Sequence, residues 1–222
     1  MCFSPQADLV GGVVIGAIGI DVLRHVDGQR RYMPLAALPL ILAVHQLDEA
    51  FVWWGLQGHV SATIGSVATW IYLLIAFVLL PVYVPTAVLV TEPPGRRARI
   101  IGAFVALGVG VSALLFAAML TGPVTATLAD WHVSYGTGIP AAFWVVTAYV
   151  AATCGALLFS GNQRLAVFGL VNLVAAAAIA VIAAEGLASL WCAWAAVASA
   201  AFAVHLRLER SDRDAALRGR VA

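Results

Sequence analysis

Long apolar runs, separated by short clusters of Arg, Pro, Gly and polar residues, dominate the pattern of hydrophobic and polar positions along the chain. Seven runs can be read, at approximately 7–26, 34–57, 62–84, 99–120, 140–159, 165–184 and 187–205. Each approaches the roughly 20 residues that a helix needs to cross a bilayer, and none alternates as barrel strands do. Because backbone groups in lipid must be satisfied internally, the pattern predicts seven transmembrane helices.

Proline and glycine modify this pattern in two places. The apolar sequence of the third run continues through Pro81 and Pro85, so a kink or break is expected near its end. Glycines recur from Gly11 to Gly19 in the first run and predict close packing against another helix. The segment 121–138, "TGPVTATLADWHVSYGTG", is the longest connection on its side of the bundle, and connections of this length often act as lids.

The composition places the chain among membrane proteins. It is 63% hydrophobic and 10% charged over 222 residues, whereas soluble domains carry about 25% charged residues. The fold class predicted is therefore an all-α integral membrane protein, with a seven-helix transmembrane domain at 1–206 and an Arg-rich tail at 207–222. Membrane lipids are the expected partners, the tail contacting anionic headgroups, and no nucleic-acid partner is expected.

The arginines orient this bundle. All twelve basic residues are Arg, and they follow the first, third, fifth and seventh runs, whereas the N-terminal tail and the other loops contain none. The positive-inside rule then gives an outside N-terminus, a cytoplasmic C-terminus and a cell-membrane location. A secretory signal would carry its positive charge before the first run, so that run is interpreted as a true span.

The stretch "AVHQLDEAFVWWG", residues 43–55, places ionisable groups inside the second run. His45, Asp48 and Glu49 are spaced to share one helix face, and Gln46 adjoins it. Glu49 is about 12 Å below the outer end of this helix. A charged side chain at the centre of a span costs about 2.5 to 3.5 kcal/mol, so Glu49 is expected to point into the bundle and to mark a site. The structural alternative is a protonated Glu49 that hydrogen-bonds to Asn172, Thr69, Tyr72 or Tyr149.

The tryptophans and acids suggest where such a site would lie. All seven tryptophans fall in the outer half or outer loops, where they form either an interfacial belt or the walls of a pocket. We expect a pocket bounded by spans two, three and seven and by residues 121–138, with Gln46, Asp48 and Glu49 as its polar groups. Its aromatic walls would come from Trp53, Trp70, Trp191 and Trp194.

A transition-metal ion is one candidate cofactor. Cys2, His45, Glu49 and His132 are all predicted on the outer side or in the outer half, and their donor atoms suit copper, zinc or iron. The alternative is that Cys2 is a small residue in a tail where Ser4 and Pro5 begin the first helix.

The opening "MCFSPQADL" and the later "HQLDEAFVWWGL" resemble a group of uncharacterised bacterial multi-pass membrane proteins that open with Met-Cys-Phe-Ser. The resemblance covers roughly the first quarter of the chain. It implies common roles for Cys2, Phe3, Ser4, Gln46, Glu49 and Trp53. His45 stands where the group more often has Gln, and Ala50 replaces a Gly, which places the emphasis on Gln46 and Glu49. The resemblance supplies no function.

Two functional classes follow from these residues. One is a membrane protein with an outward-facing pocket that binds a cation or a lipid-like small molecule. The other is a small cation or proton transporter. A scaffold subunit of a membrane complex is a third possibility that the residues leave open. The chain has no Lys, which excludes a retinal Schiff base, and it carries no nucleotide loop or hydrolase motif. The sequence leaves the ligand, the oligomeric state and the question of enzymatic activity open.

Overall fold

The computed structural model describes residues 4–24, 30–129, 132–138, 142–182 and 186–201. Within these ranges the chain forms seven helices, one for each predicted apolar run. They are α1 (Pro5–Arg24), α2 (Met33–Leu56), α3 (Ala62–Thr91), α4 (Arg96–Thr121), α5 (Ala142–Leu158), α6 (Gln163–Ile182) and α7 (Leu187–Ala201). All but α5 and α7 are long and apolar enough to cross a membrane. The chain is therefore helical and has the composition of a membrane protein.

Close packing of α1 against α2 follows the glycines of the first run, as the sequence predicts. A side chain at Gly12 would meet Leu47 at 2.7 Å, and one at Gly19 would meet Leu40 at 2.8 Å. Because the missing Cβ atoms let the two backbones approach, the buried face of α2 is fixed relative to α1.

The irregularity predicted for α3 is present, but its position was wrong. The helix does not end near residue 84; it continues through Pro85 to Thr91, and six residues from Leu74 to Leu79 form a π-helical segment directly before Pro81. Proline has no N–H to donate to the preceding turn, and a π segment is a known way to absorb the resulting mismatch.

Side chains of other helices satisfy the carbonyl groups around this segment. Tyr149 of α5 donates its hydroxyl to the Ala76 carbonyl oxygen at 2.7 Å, and Ser112 of α4 donates to that of Val78 at 2.6 Å. Irregular backbone in an apolar surrounding requires partners for its polar groups, and these two hydroxyl groups provide such partners. The break in α3 is thus a point where α4 and α5 are attached.

A short β-hairpin corrects the all-α prediction. In the segment 121–138, strand β1 (Thr125–Leu128) pairs antiparallel with β2 (Val133–Gly136), with Thr127 opposite Ser134. β1 is mostly exposed, whereas β2 buries Val133 completely. Both strands contact the bundle: β2 buries Val133, and β1, although mostly exposed, packs Ala126 against the core beside α2.

Candidate functional site

A buried polar stripe runs along α2. His45, Gln46 and Glu49 are fully buried, and Trp53, one turn beyond Glu49, is 6% exposed. The spacing of four residues from His45 to Glu49 and from Glu49 to Trp53 places them on one side of the helix. Asp48 is only half-buried, so the predicted trio of ionisable residues is divided: His45 and Glu49 face the interior together, and Asp48 lies at its border.

Glu49 is held between α7 and the hairpin. The Ser189 hydroxyl donates to Glu49 Oε1 at 2.6 Å, and the Tyr135 hydroxyl of β2 donates to the same oxygen at 3.4 Å. The first distance is at the short end of the range for hydroxyl–oxygen bonds, and the second is long for a hydroxyl donor. Ser189 is the third residue of α7, so the carboxyl group also lies at the positive end of that helix dipole.

These partners differ from those named in the structural alternative. Asn172, Thr69 and Tyr149 each donate to a backbone carbonyl oxygen, at 2.8, 2.9 and 2.7 Å respectively. The expectation that Glu49 points into the bundle agrees with the structure, but pairing with these three residues was wrong.

Stacked rings connect His45 to the hairpin. The Tyr72 ring of α3 lies 3.9 Å from the His45 ring and 4.2 Å from the Tyr135 ring, nearly parallel to the latter. Tyr72 is completely buried. The stack places the hairpin, α3 and α2 around Glu49 in a fixed arrangement, because each ring has a neighbour on its face.

The hydrogen bonding of His45 fixes its tautomer. His45 Nε2 lies 3.2 Å from the Tyr72 carbonyl oxygen, and a carbonyl oxygen can only accept. The proton must therefore be on Nε2, which leaves a lone pair on Nδ1. That nitrogen is buried and has no hydrogen-bond partner within the described part of the chain.

The predicted tryptophan walls are only partly assembled. Trp53 is buried, Trp70 is partly buried against the core, and the Trp191 ring meets Tyr149 edge to face at 5.4 Å. The indole N–H groups of Trp53 and Trp191 are buried without an acceptor among the described residues. Trp194 is 38% exposed, so it lies outside this cluster.

The metal prediction gains no support from the described residues. His132 is buried and its ring lies against Gly186 at the start of α7, and Cys2 lies outside the described residues. No group of three or more His, Cys, Asp or Glu side chains is arranged to hold a metal ion in the described ranges.

Sequence reasoning missed Ser189, Tyr135 and Cys192. Cys192 is buried on the same face of α7 as Ser189, beside Glu49 and Tyr72. Ser189 is 140 positions from Glu49, and no local pattern marks it. The spacing of Ser189 and Cys192 along α7 indicates a shared face, but not which helix that face meets.

Comparison with known proteins gives one match. The model of a family of unknown function (DUF6629) matches residues 1–218. No curated protein matches, and no solved structure does either.

Proposed function

We propose that this chain, which belongs to the family of unknown function DUF6629, is a multi-pass membrane protein. In this proposal it binds a cation or the cationic head group of a lipid-like molecule at Glu49. The observation that carries the proposal is a fully buried carboxyl group shared by α2, α7 and the hairpin. Intramembrane acids mark ligand or ion sites more often than they serve packing.

The surface of the helices supports membrane insertion. Large apolar side chains are exposed along them, including Val13, Val174 and Val181, the last of these 87% exposed. Exposing such an apolar surface to water costs free energy, whereas exposing it to the apolar chains of lipids does not. We propose seven spans, with the N-terminus outside and the C-terminus in the cytoplasm.

The arginines support this orientation. Those in the described residues lie where α1 ends and α2 begins, where α4 begins after α3, and where α6 begins after α5. In an up-and-down bundle these three junctions share one face, which the positive-inside rule assigns to the cytoplasm. A reporter fused to the C-terminus should therefore be active only in the cytoplasm. An externally accessible C-terminus would refute the orientation.

Two features near Glu49 stabilise negative charge on its carboxyl group, whereas the complete burial of that group opposes it. A short bond from Ser189 and the N-terminal turn of α7 both stabilise negative charge. Arg31 lies just before the start of α2, 18 positions ahead of Glu49, which corresponds to about 27 Å along the helix axis. At that distance its positive charge does not neutralise the Glu49 carboxylate. An ionised carboxylate at this depth attracts a cation.

In this proposal a ligand reaches the Glu49 carboxyl group only when one of the hydroxyl groups that donate to it moves away. The carboxyl group is fully buried, and its bond from Tyr135 is longer and therefore weaker than its bond from Ser189. Tyr135 is carried by a short hairpin whose other strand is mostly exposed. In this proposal the hairpin is the cover of the site, and a ligand donor replaces the Tyr135 hydroxyl.

The test is ligand retention after purification in mild detergent without chelator, read by native mass spectrometry and elemental analysis. The wild-type protein should retain a small molecule or ion, and Glu49→Gln, which preserves size, should fold and lose it. Asp48→Asn is the matched control, because it makes the same chemical change on the adjacent, half-buried residue. Equal retention by Glu49→Gln and the wild type would refute the proposal. A Glu49→Gln protein that unfolds, with no ligand found in the wild type, would show that Glu49 is structural.

One observation favours cation or proton transport as a second candidate. The π segment at Leu74–Leu79 interrupts α3 near its middle, and transporters commonly use interrupted helices at this depth. Purified protein in liposomes would then carry a cation or proton flux that Glu49→Gln abolishes. Flux at the level of empty liposomes would exclude this candidate and leave binding alone.

A further inference from the structure

His45 presents an acceptor that the described protein atoms do not use. Its Nε2 proton is committed to the Tyr72 carbonyl oxygen, and its Nδ1 lone pair is buried without a partner in the described ranges. A buried acceptor without a donor costs free energy. A partner outside these protein atoms, either water or a ligand, would recover it.

This acceptor is close to Glu49. The two residues are one turn apart on the same buried face of α2, with Cβ atoms about 5 to 6 Å from each other. The stack of Tyr72 and Tyr135 also joins them, because it touches the His45 ring at one end and the Glu49 carboxylate at the other. The two side chains are close enough for one head group to contact both the Glu49 carboxylate and His45.

The chemistry of the pair restricts that head group. One acceptor is anionic and the other neutral, so a complementary group carries positive charge and at least two N–H donors. A quaternary ammonium has the charge but no donor, and an alcohol has one donor and no charge. Of the cations with two or more N–H donors, a primary ammonium is smaller than a guanidinium, and the complete burial of His45 and Glu49 favours a small group. The described residues provide no third His, Cys, Asp or Glu ligand for a metal ion.

We propose that the ligand of this site carries a primary ammonium group, donating one hydrogen bond to the Glu49 carboxylate in place of Tyr135 and another to His45 Nδ1. This inference rests on the proposed function and narrows it to one ligand class. An amine-bearing lipid and a free alkylamine offer the same head-group chemistry.

Three probes with the same tail isolate the head group: dodecylamine, dodecyltrimethylammonium and dodecanol, each titrated into the detergent-solubilised full chain. Binding is measured as the shift of the thermal unfolding midpoint. Dodecylamine should bind at least tenfold more tightly than either of the others, the factor expected from one hydrogen bond to a charged group. Nanodiscs of phosphatidylethanolamine or phosphatidylcholine, followed by native mass spectrometry, then separate a lipid source from a free amine.

Variants test whether the preference for dodecylamine over dodecyltrimethylammonium depends on Glu49 and on His45 Nδ1. His45→Gln keeps an N–H for the Tyr72 carbonyl oxygen and replaces the Nδ1 lone pair by an amide oxygen that is not at the position of Nδ1. Dodecylamine should therefore bind about tenfold more weakly, and the binding of dodecyltrimethylammonium should not change. His59→Gln is the matched control, since His59 is exposed and bonds only to Gln57 among the described residues.

The outcomes are distinguishable. If dodecylamine and dodecyltrimethylammonium bind equally and Glu49→Gln loses both, the proposed function stands and the primary-ammonium inference fails. If Glu49→Gln changes neither, both fail. If His45→Gln leaves dodecylamine binding intact, the ligand does not use the Nδ1 acceptor and the inference is overturned. The comparison of probes on the wild-type protein decides the matter even if His45→Gln does not fold.

Discussion

Removing the Ser189 hydroxyl tests the charge state of Glu49 directly. Ser189→Ala deletes the donor of the 2.6 Å bond and leaves the rest of α7 unchanged. Both residues are completely buried, so solvent cannot replace the lost donor. The prediction concerns the free energy of unfolding, and its size depends on whether the acceptor is ionised.

The expected magnitudes separate the two charge states. A hydrogen bond to a charged group contributes about 1.5 to 3 kcal/mol, and a neutral one about 0.5 to 1.5 kcal/mol. Neutral side-chain bonds between helices of a membrane protein average only about 0.6 kcal/mol. We expect Ser189→Ala to cost about 1.5 to 3 kcal/mol in the wild-type background. In a Glu49→Gln background, where the acceptor is a neutral amide, it should cost at least about 1 kcal/mol less.

The assay is reversible denaturation in mixed micelles, followed by tryptophan fluorescence, on a double-mutant cycle of Ser189→Ala and Glu49→Gln. Ser199→Ala is the control on the same helix, because Ser199 is buried too but donates to the Ala196 carbonyl of its own helix. Its cost should be the same in both backgrounds to within about 0.5 kcal/mol, since distant sites are additive.

One result would refute the reasoning. If Ser189→Ala costs the same in the wild-type and Glu49→Gln backgrounds, the acceptor is already neutral. Glu49 would then be a protonated, hydrogen-bonded structural residue, and the attraction of a cation would lose its basis.

Two further predictions concern the break in α3. Gly108→Ala should lower the free energy of unfolding by about 1 to 3 kcal/mol, because the new methyl group would collide with the Pro81 carbonyl oxygen; Gly110→Ala, with no atom within 4 Å of its added Cβ, should be neutral or mildly stabilising in the same denaturation assay. Equal effects of the two changes would mean that α4 does not pack on this carbonyl. Tyr149→Phe should cost about 1 to 3 kcal/mol by leaving the Ala76 carbonyl oxygen without its hydroxyl donor, and hydrogen exchange of the π segment should accelerate; unchanged exchange would contradict the attachment of α3 to α5 through this bond.

Much of the fold could be predicted from local pattern. An apolar run of about 20 residues has one stable form in an apolar solvent, since a helix satisfies its backbone within the segment. Seven runs therefore predict seven helices, and the glycines of the first run predict its close packing on a neighbour. The interior position of Glu49 follows from the same physics, because the cost of an exposed charge in lipid is known from the residue and its depth alone.

Other features could not be predicted locally. Where the helix of the third run approaches Pro81 and Pro85, Tyr149 and Ser112 supply donors to its carbonyl groups, and neither residue lies in that run. The hairpin at 125–136 has strands of four residues each, too short for a distinct alternating pattern. It forms where its second strand can bury Val133 and Tyr135 against the bundle.

The sequence by itself determined the number of helices, the face of α2 that turns inward and the presence of an acid within it. Those properties depend on hydrophobic length and on the cost of burying charge, both of which are local. Only the tertiary structure decided that Ser189 and Tyr135 bind Glu49, that Tyr72 fixes the tautomer of His45, and that Asp48 and Trp194 stand apart. The physical reason is that an apolar helix has several faces of nearly equal hydrophobicity, so rotating it about its axis changes the burial free energy little. The packing of the bundle selects one rotation for each helix, and with it the polar atoms that meet.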